Sequence, residues 1–332
     1  MVAAGIATWG LYGIPVETTH TLTIGGQVSG VTEVEKLYSA LQESARLVGA
    51  PYSRDKVQPI LTAFGDALAD GVVVFSVQTG GRHSGELDYS FMAPPGLGDP
   101  YPHAVAHGFI TESDHPVHSV LSDIQGRWGI REHFVDCGVV GGFKKLYAHF
   151  PDDLQKVSAL AAVPSVPRAV AENADLFARY GLDEVAMIGV DYKRRTMNLY
   201  FQFSPDGRPG AEAIGSMLRE IGLHEPDQRM LEFAQKSMRA NITFSWDSPR
   251  IVRVAFAPPP GLGLDPAAVP APIEPHIERF VTTAPRAYEG ERMTLFGVKW
   301  FPDGEFIDVC TYYRLSSWYE PYRSAATDKE QV

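Results

Sequence analysis

Apolar positions along this chain change period in a repeating order: two stretches at helical spacing, then two that alternate in twos. The first block predicts helices over 32–47 and 54–68 and strands over 72–78 and 86–92, with Gly80-Gly81 turning between the strands. The second predicts short helices over 102–107 and 116–125 and strands over 130–136 and 143–149, joined through Gly138 and Gly141-Gly142. A third has helices over 153–159 and 168–180, the latter opened by Pro167 and closed by Gly181, then strands 185–191 and 196–203. The fourth runs 211–221, 228–238, 240–246 and 251–257. A proline-rich linker, 258–272, precedes a helix over 273–283 and strands 293–300 and 306–314.

Ten strands in pairs with short linkers read as antiparallel hairpins. Because the strands come in twos, a βαβ arrangement fails. So many strands favour closure, which removes their edges. The expected fold class is α+β: one antiparallel ten-stranded barrel of ααββ repeats, surrounded by a ring of helices.

Strand side chains alternate between faces, and several strands carry one apolar and one polar row. Glu86, Asp88 and Ser90 oppose Leu87, Tyr89 and Phe91. Lys145, Tyr147 and His149 oppose Lys144, Leu146 and Ala148. Arg194, Thr196, Asn198 and Tyr200 form a row, and Arg253 lies opposite Val252, Val254 and Phe256. Asp308, Cys310, Tyr312 and Arg314 oppose Ile307, Val309 and Tyr313. Alternation alone leaves two placements open: these rows line a lumen, or they face water. Helices covering the outside favour the lumen. There, Lys145, Arg194 and Arg253 suit a polyanion such as diphosphate. Tyr147, Tyr200 and Tyr312 would offer π faces to a carbocation, and Asp88 a hard oxygen for Mg²⁺.

Composition narrows the function classes. The 332 residues are 45% hydrophobic and 21% charged, ordinary for a globular protein, with a formal net charge of −11. That acidity argues against nucleic-acid and anionic-membrane partners. No apolar run reaches the roughly 20 residues of a membrane helix. Two distant cysteines, Cys137 and Cys310, make neither a disulfide framework nor a CxxC zinc site, and point to a reducing, cytoplasmic setting. Residues 1–30 hold one acidic residue and no Lys or Arg, so they lack a secretory n-region and read as a poorly structured extension. The domain expected is 31–318, with a loose tail over 319–332 and a monomer as the default state.

Five segments carry a resemblance: VVVFSVQTGGRHSGELDYSF (72–91), GGFKKLYAHFP (141–151), VPSVPRAVAENADLFARYGLDEV (163–185), VDYKRRTMNLYF (190–201) and TTAPRAYEGERMTLFGV (282–298). In order and content they resemble the ABBA-fold aromatic prenyltransferases, most like the naphthalene-diol geranyltransferase (NphB) type, with CloQ-like enzymes more distant. The likeness spans about Val31 to Tyr313 and implies a PT barrel with an open, solvent-filled centre. It implies transfer of a geranyl or dimethylallyl group from its diphosphate to an electron-rich aromatic acceptor such as a hydroxynaphthalene, a flaviolin-like polyketide or a phenazine. A carrier barrel and a Mg²⁺-dependent allylic diphosphate hydrolase are the alternative classes.

Residue by residue, Asp88 matches the family's Mg²⁺-binding aspartate. Lys145, Asn198 and Arg253 match diphosphate-binding positions, with Arg194 where a lysine is usual. Tyr147 and Tyr200 match the isoprenoid walls, and Ser90 and Tyr312 match positions near the prenyl chain and acceptor. Ala186, Met238, Arg239 and Trp318 fall where relatives shape the acceptor pocket. Two departures stand out: Asn241 replaces a diphosphate-contacting tyrosine, and Asp308 replaces an expected lysine, so that it would orient an acceptor hydroxyl instead. The signatures of helical prenyltransferases (DDxxD), serine hydrolases, P-loops and dinucleotide folds are absent from the sequence.

Overall fold

The computed structural model describes residues 32–65, 68, 71–80, 83–150, 152–262, 269–285 and 293–312. The expected N-terminal extension, Trp318 and the C-terminal tail lie outside the described residues.

Twelve strands form one antiparallel sheet. They are β1 (Val73–Gln78), β2 (Asp88–Met92), β3 (Glu132–Gly138), β4 (Gly142–His149), β5 (Gln155–Lys156), β6 (Glu184–Asp191), β7 (Thr196–Gln202), β8 (Arg239–Ser245), β9 (Ser248–Ala257), β10 (Gly261–Leu262), β11 (Met293–Phe301) and β12 (Gly304–Tyr312). β11 pairs with β12 on one side and with β9 on the other, which closes ten of the strands into a barrel. The two-residue strands β5 and β10 hang on β6 and β11 outside that ring. Their brevity left no periodicity to read.

The helices are α1 (Glu33–Val48), α2 (Arg54–Ala63), α3 (Pro100–Ala106), α4 (Val120–Gln125), α5 (Val157–Ala161), α6 (Arg168–Glu172), α7 (Ala174–Arg179), α8 (Ala211–Glu220), α9 (Gln228–Ala234) and α10 (Pro275–Thr283). α1 shows why its sequence starts and stops where it does. Thr32 and Glu35 close a reciprocal capping box, and Gly49 ends the helix at φ 70°. The single helix expected over 168–180 is instead two, α6 and α7. Asn173 breaks it, because its carboxamide donates to the Ala169 carbonyl at 2.7 Å and its backbone leaves helical geometry.

The main core lies between helices and barrel. Phe75, Tyr89, Phe91, Leu146, Phe244, Phe256 and Trp300 are fully buried there. These are the apolar rows of the strands, so the helices take the outward face and the polar rows turn inward. A second, smaller apolar cluster lies apart from that core and joins Val72, Met238, Ala257, Met293, Leu295, Cys310 and Tyr312.

Candidate active site

The inward rows enclose a lumen of about 1340 Å³ counted to its open mouth. Asp88, Ser90, Lys145, Tyr147, Arg194, Tyr200, Arg253, Asp308 and Tyr312 all reach its wall, as the alternation predicted, and so do Ala186 and Arg239, which the resemblance implied. Six cations line it against four carboxylates, although the chain as a whole carries −11. Basic groups concentrated within an acidic protein mark a site for an anion.

Three bulges refine the alternation. Between β3 and β4 the register slips at Asp136 and Cys137, so Lys144 turns inward beside Lys145. The sequence reading that set Lys144 on the outer face is therefore corrected. A slip in β6 lets Ala186 and Met187 both reach the lumen. Another in β9 skips Val252, aligning Arg253 with Thr243 and returning Ile251 to the outer core.

Arg253 is held as a fixed fork. Its Nε donates to Thr243 Oγ1 (3.1 Å) and its Nη2 to Asn198 Oδ1 (3.4 Å), while Thr243 Oγ1 donates to the same Asn198 oxygen (2.7 Å). Asn198 is 1% exposed, its Oδ1 is taken up by Arg253 and Thr243, and it is not among the residues that line the lumen. Arg194 is aimed by a local device: Asp191 Oδ1 accepts from the backbone N–H of Lys193 (3.1 Å) and of Arg194 (2.8 Å) in the β6–β7 turn.

Each inward aspartate has its own lysine. Lys144 Nζ donates to Asp88 Oδ2 at 2.5 Å. Lys145 Nζ lies 3.6 Å from Asp136 Oδ2, and Lys299 Nζ 2.9 Å from Asp308 Oδ1. Burial lifts the Asp88 carboxyl above its ordinary value, Asp136 adds to this, and the ammonium of Lys144 opposes both. Burial acts to depress Lys144, but the carboxylates of Asp88 and Asp136 outweigh it and leave the ammonium strengthened.

The carboxylates around Asp88, where magnesium was expected, are engaged by side chains of the protein. One Asp88 oxygen already holds an ammonium. Those of Asp136 meet Ser90 Oγ (2.9 Å), Lys145 and Tyr147 Oη (3.5 Å). Among the described residues no cluster of three or more His, Cys, Asp or Glu gathers to hold a metal. A dication beside Asp88 would lie against the Lys144 ammonium.

Beyond the charges the wall becomes aromatic. Tyr147 and Tyr200 meet edge to face at 6.0 Å and 68°. Burial, with the Asp136 carboxylate nearby, pushes the Tyr147 phenol well above its ordinary value, so it stays neutral. Gly189, opposite Tyr147, permits this placement: a Cβ there would fall 2.7 Å from the Tyr147 ring. The Arg239 guanidinium lies over Tyr200 at 5.9 Å, and its Nη2 approaches Tyr312 Oη at 3.5 Å. Met238 is fully buried in the inner apolar cluster with Tyr312, and so backs the wall. Asn241 reaches the lumen too, and its carbonyl oxygen has no partner among the described residues.

Lys144, Lys299, Asp136 and Gly189 were not singled out from sequence. Lys299 was within reach, since it continues the inward row Met293, Leu295, Gly297. Lys144 was not, because period-two counting cannot see a bulge.

Comparison with known proteins agrees with this geometry. The family model described as aromatic prenyltransferase Orf2 matches residues 32–319. The chain is 41% identical over 292 residues to 5,10-dihydrophenazine-1-carboxylate 9-dimethylallyltransferase of Streptomyces anulatus, covering 87% of this chain and 96% of that protein. It is 37% identical to the flaviolin linalyltransferase of Streptomyces virginiae, over 88% of this chain and 94% of that protein. The furaquinocin biosynthesis prenyltransferase of Streptomyces sp. (strain KO-3988) is 36% identical, over 90% and 97%. Among solved structures, a 6-dimethylallyl tryptophan synthase superposes with a TM-score of 0.50 at 13% identity, covering 88% of this chain and 98% of that one, a likeness of fold. A cation-lined lumen in a closed ten-stranded barrel and these matches lead to one assignment: the chain belongs to the aromatic prenyltransferase family.

Proposed function

We propose that this prenyltransferase moves a dimethylallyl or geranyl group onto a ring carbon of a fused, electron-rich aromatic acceptor, a phenazine or a hydroxynaphthalene of the flaviolin kind. The relatives named for phenazine and flaviolin acceptors support that acceptor class. The observation that carries the mechanism is the lining of the lumen: fixed cations, the Tyr147 and Tyr200 rings and, through Val72, Cys310 and Tyr312, the inner apolar cluster.

In this mechanism Arg253, Lys145, Lys144 and Arg194 take the diphosphate. They stabilise the charge that grows on it as the allylic C–O bond breaks with its electron pair leaving on oxygen. Preorganisation matters because Arg253 is already locked by Thr243 and Asn198. The faces of Tyr147 and Tyr200 meet the allylic cation. The Tyr147 phenol, kept neutral by its burial, is a poor nucleophile, so the cation survives to reach the acceptor. The acceptor's ring carbon forms the new C–C bond. The arenium ion then passes its ring proton to water or to the released diphosphate, and rearomatisation drives that step. Holding both partners in one cavity supplies much of the rate by proximity.

Because the lumen aspartates are engaged by lysines, the side chains themselves are assigned the charge neutralisation, with no step through a metal. The chain is proposed to act as a cytoplasmic monomer without nucleic-acid or membrane partners. Both cysteines are free and buried, and no helix among the described residues is long and apolar enough to cross a membrane.

Purified protein incubated with dimethylallyl or geranyl diphosphate and a panel of hydroxynaphthalenes, flaviolin and phenazines tests this by mass spectrometry. The expected product is an acceptor heavier by one prenyl unit, with diphosphate released. Release of prenyl alcohol alone, with every acceptor unchanged, would contradict it.

A further inference from the structure

Asp308 stands where a lysine was expected, yet the cation has not left the lumen. It comes from the adjacent strand, where Lys299 Nζ pairs with Asp308 Oδ1 at 2.9 Å and both side chains reach the cavity. The register accounts for this. Asp308 lies opposite Gly297, and Lys299 is the next inward position on β11, its diagonal neighbour. β11 also pairs with β9, setting Lys299 opposite Ala255, two residues from Arg253. Burial alone would lift the Asp308 carboxyl. Lys299 first, then Arg253 and Lys145, outweigh it and hold the group below the usual carboxylate range. A resident carboxylate thus sits among three cations suited to a diphosphate.

Fold stability alone gives no reason for such a pair. A buried ion pair seldom stabilises more than apolar residues of equal volume would, and the neighbouring inward positions Met293, Leu295 and Cys310 are apolar or nearly so. We propose that Lys299 is a diphosphate ligand supplied from the strand next to the expected position, and that Asp308 is the counter-anion holding its ammonium at the lumen wall until the diphosphate arrives. This rests on the diphosphate lying at the charged end, as proposed above.

The test uses calorimetric binding of inorganic diphosphate, together with steady-state KM values for dimethylallyl diphosphate and for the acceptor. The double variant Lys299→Met, Asp308→Asn removes both charges, keeps the lumen's net charge and leaves no unpaired buried ion. It is expected to weaken diphosphate binding about tenfold or more, the scale of one charge-assisted hydrogen bond. The donor KM should rise in step while the acceptor KM stays put. Lys299→Met with Asp308→Lys returns the cation to β12 and should recover most of the loss.

Arg253→Met is the control. If it loses diphosphate binding while the neutral pair binds like wild type, the Lys299 proposal fails and the site stands. If neither variant changes binding, the diphosphate site itself is misplaced, and the proposal falls with it. A shift confined to the acceptor KM would make Asp308 an acceptor-orienting group and overturn the proposal. Should the neutral pair not fold, Lys299→Arg re-aims the charge while keeping the pair. It must raise the donor KM, and a wild-type donor KM sinks the idea.

Discussion

The charged part of the lumen and its inner apolar cluster are built on different principles. In the charged part, position is set by bonds. Arg253 is locked by Thr243 and Asn198, Lys144 by Asp88 and Lys299 by Asp308. Around Met238, Met293 and Leu295, position is set by the packing of apolar side chains. A diphosphate is the same on every allylic donor and can be met by a fixed frame. Acceptors differ in size and shape, and a wall of packed side chains can change without disturbing that frame. One part therefore commits the protein to a reaction, and the other selects among partners.

Breaking the fixed frame should give the largest effect. Arg253→Met removes the fork and leaves Asn198 Oδ1 and Thr243 Oγ1 to rebond, and kcat/KM should fall by about 10³, the scale of losing one preorganised charge-stabilising donor. Steady-state kinetics checks this, and a loss under tenfold would mean the diphosphate lies elsewhere. Next is the wall between the two parts. Gly189→Ala puts a Cβ into the Tyr147 ring. That overpacking should cost about 1–3 kcal/mol of stability and displace Tyr147, lowering kcat more than the donor KM. Thermal melting and kinetics read both, and an unchanged kcat would remove Tyr147 from the mechanism.

The selecting part is tested by Ala186→Leu, which fills lumen space where the β6 bulge turns a methyl group inward. The acceptor preference should shift by about tenfold, the scale of one or two methylenes in a pocket, with donor KM unchanged. Competition between a phenazine and a hydroxynaphthalene measures it, and a donor KM that moves instead would erase the distinction between the two parts.

Smaller is the pH dependence of the Lys299–Asp308 pair. The Asp308 carboxyl is depressed in the folded protein, so its contribution to stability is present above the unfolded value, near ~3.9, and is lost as pH falls through the folded value. Asp308→Asn should therefore melt below wild type at pH 7, and the gap should close in acid below about pH 4. A constant gap would show that the carboxyl is not the linked group. Least of all is the effect expected of EDTA: with each lumen aspartate engaged by a lysine, turnover should change by less than about twofold. Abolished turnover, restored by Mg²⁺, would mean that Lys144 yields Asp88 to a metal.

How legible this was from sequence follows the same division. Ten strand positions emerged from period-two alternation because each strand buries one face under helices, a strong and regular constraint. The cations Lys145, Arg194 and Arg253 were legible for the same reason, since they interrupt polar rows whose other face is apolar. Lys144 was assigned to the wrong face because a bulge inserts a residue and reverses the count beyond it. The exchange between Asp308 and Lys299 was half visible: the missing lysine was noted, and Lys299 lay on the inward row of the paired strand, but the hairpin register that makes the two diagonal neighbours was not read. Asn173 was missed as a helix break because its side-chain bond to Ala169 competes with an otherwise continuous apolar stripe.

The central claim is that the lumen is polarised, with diphosphate held by the fixed cations and the allylic chain lying along the tyrosine rings toward the apolar cluster. A crystal structure with the unreactive thiolodiphosphate analogue of dimethylallyl diphosphate tests it most directly. The account predicts diphosphate oxygens within hydrogen-bond distance of Arg253 and Lys145, and the five-carbon chain against Tyr147 and Tyr200. A diphosphate bound beside Arg239 and Tyr312, with its chain pointing toward Asp88, would contradict it.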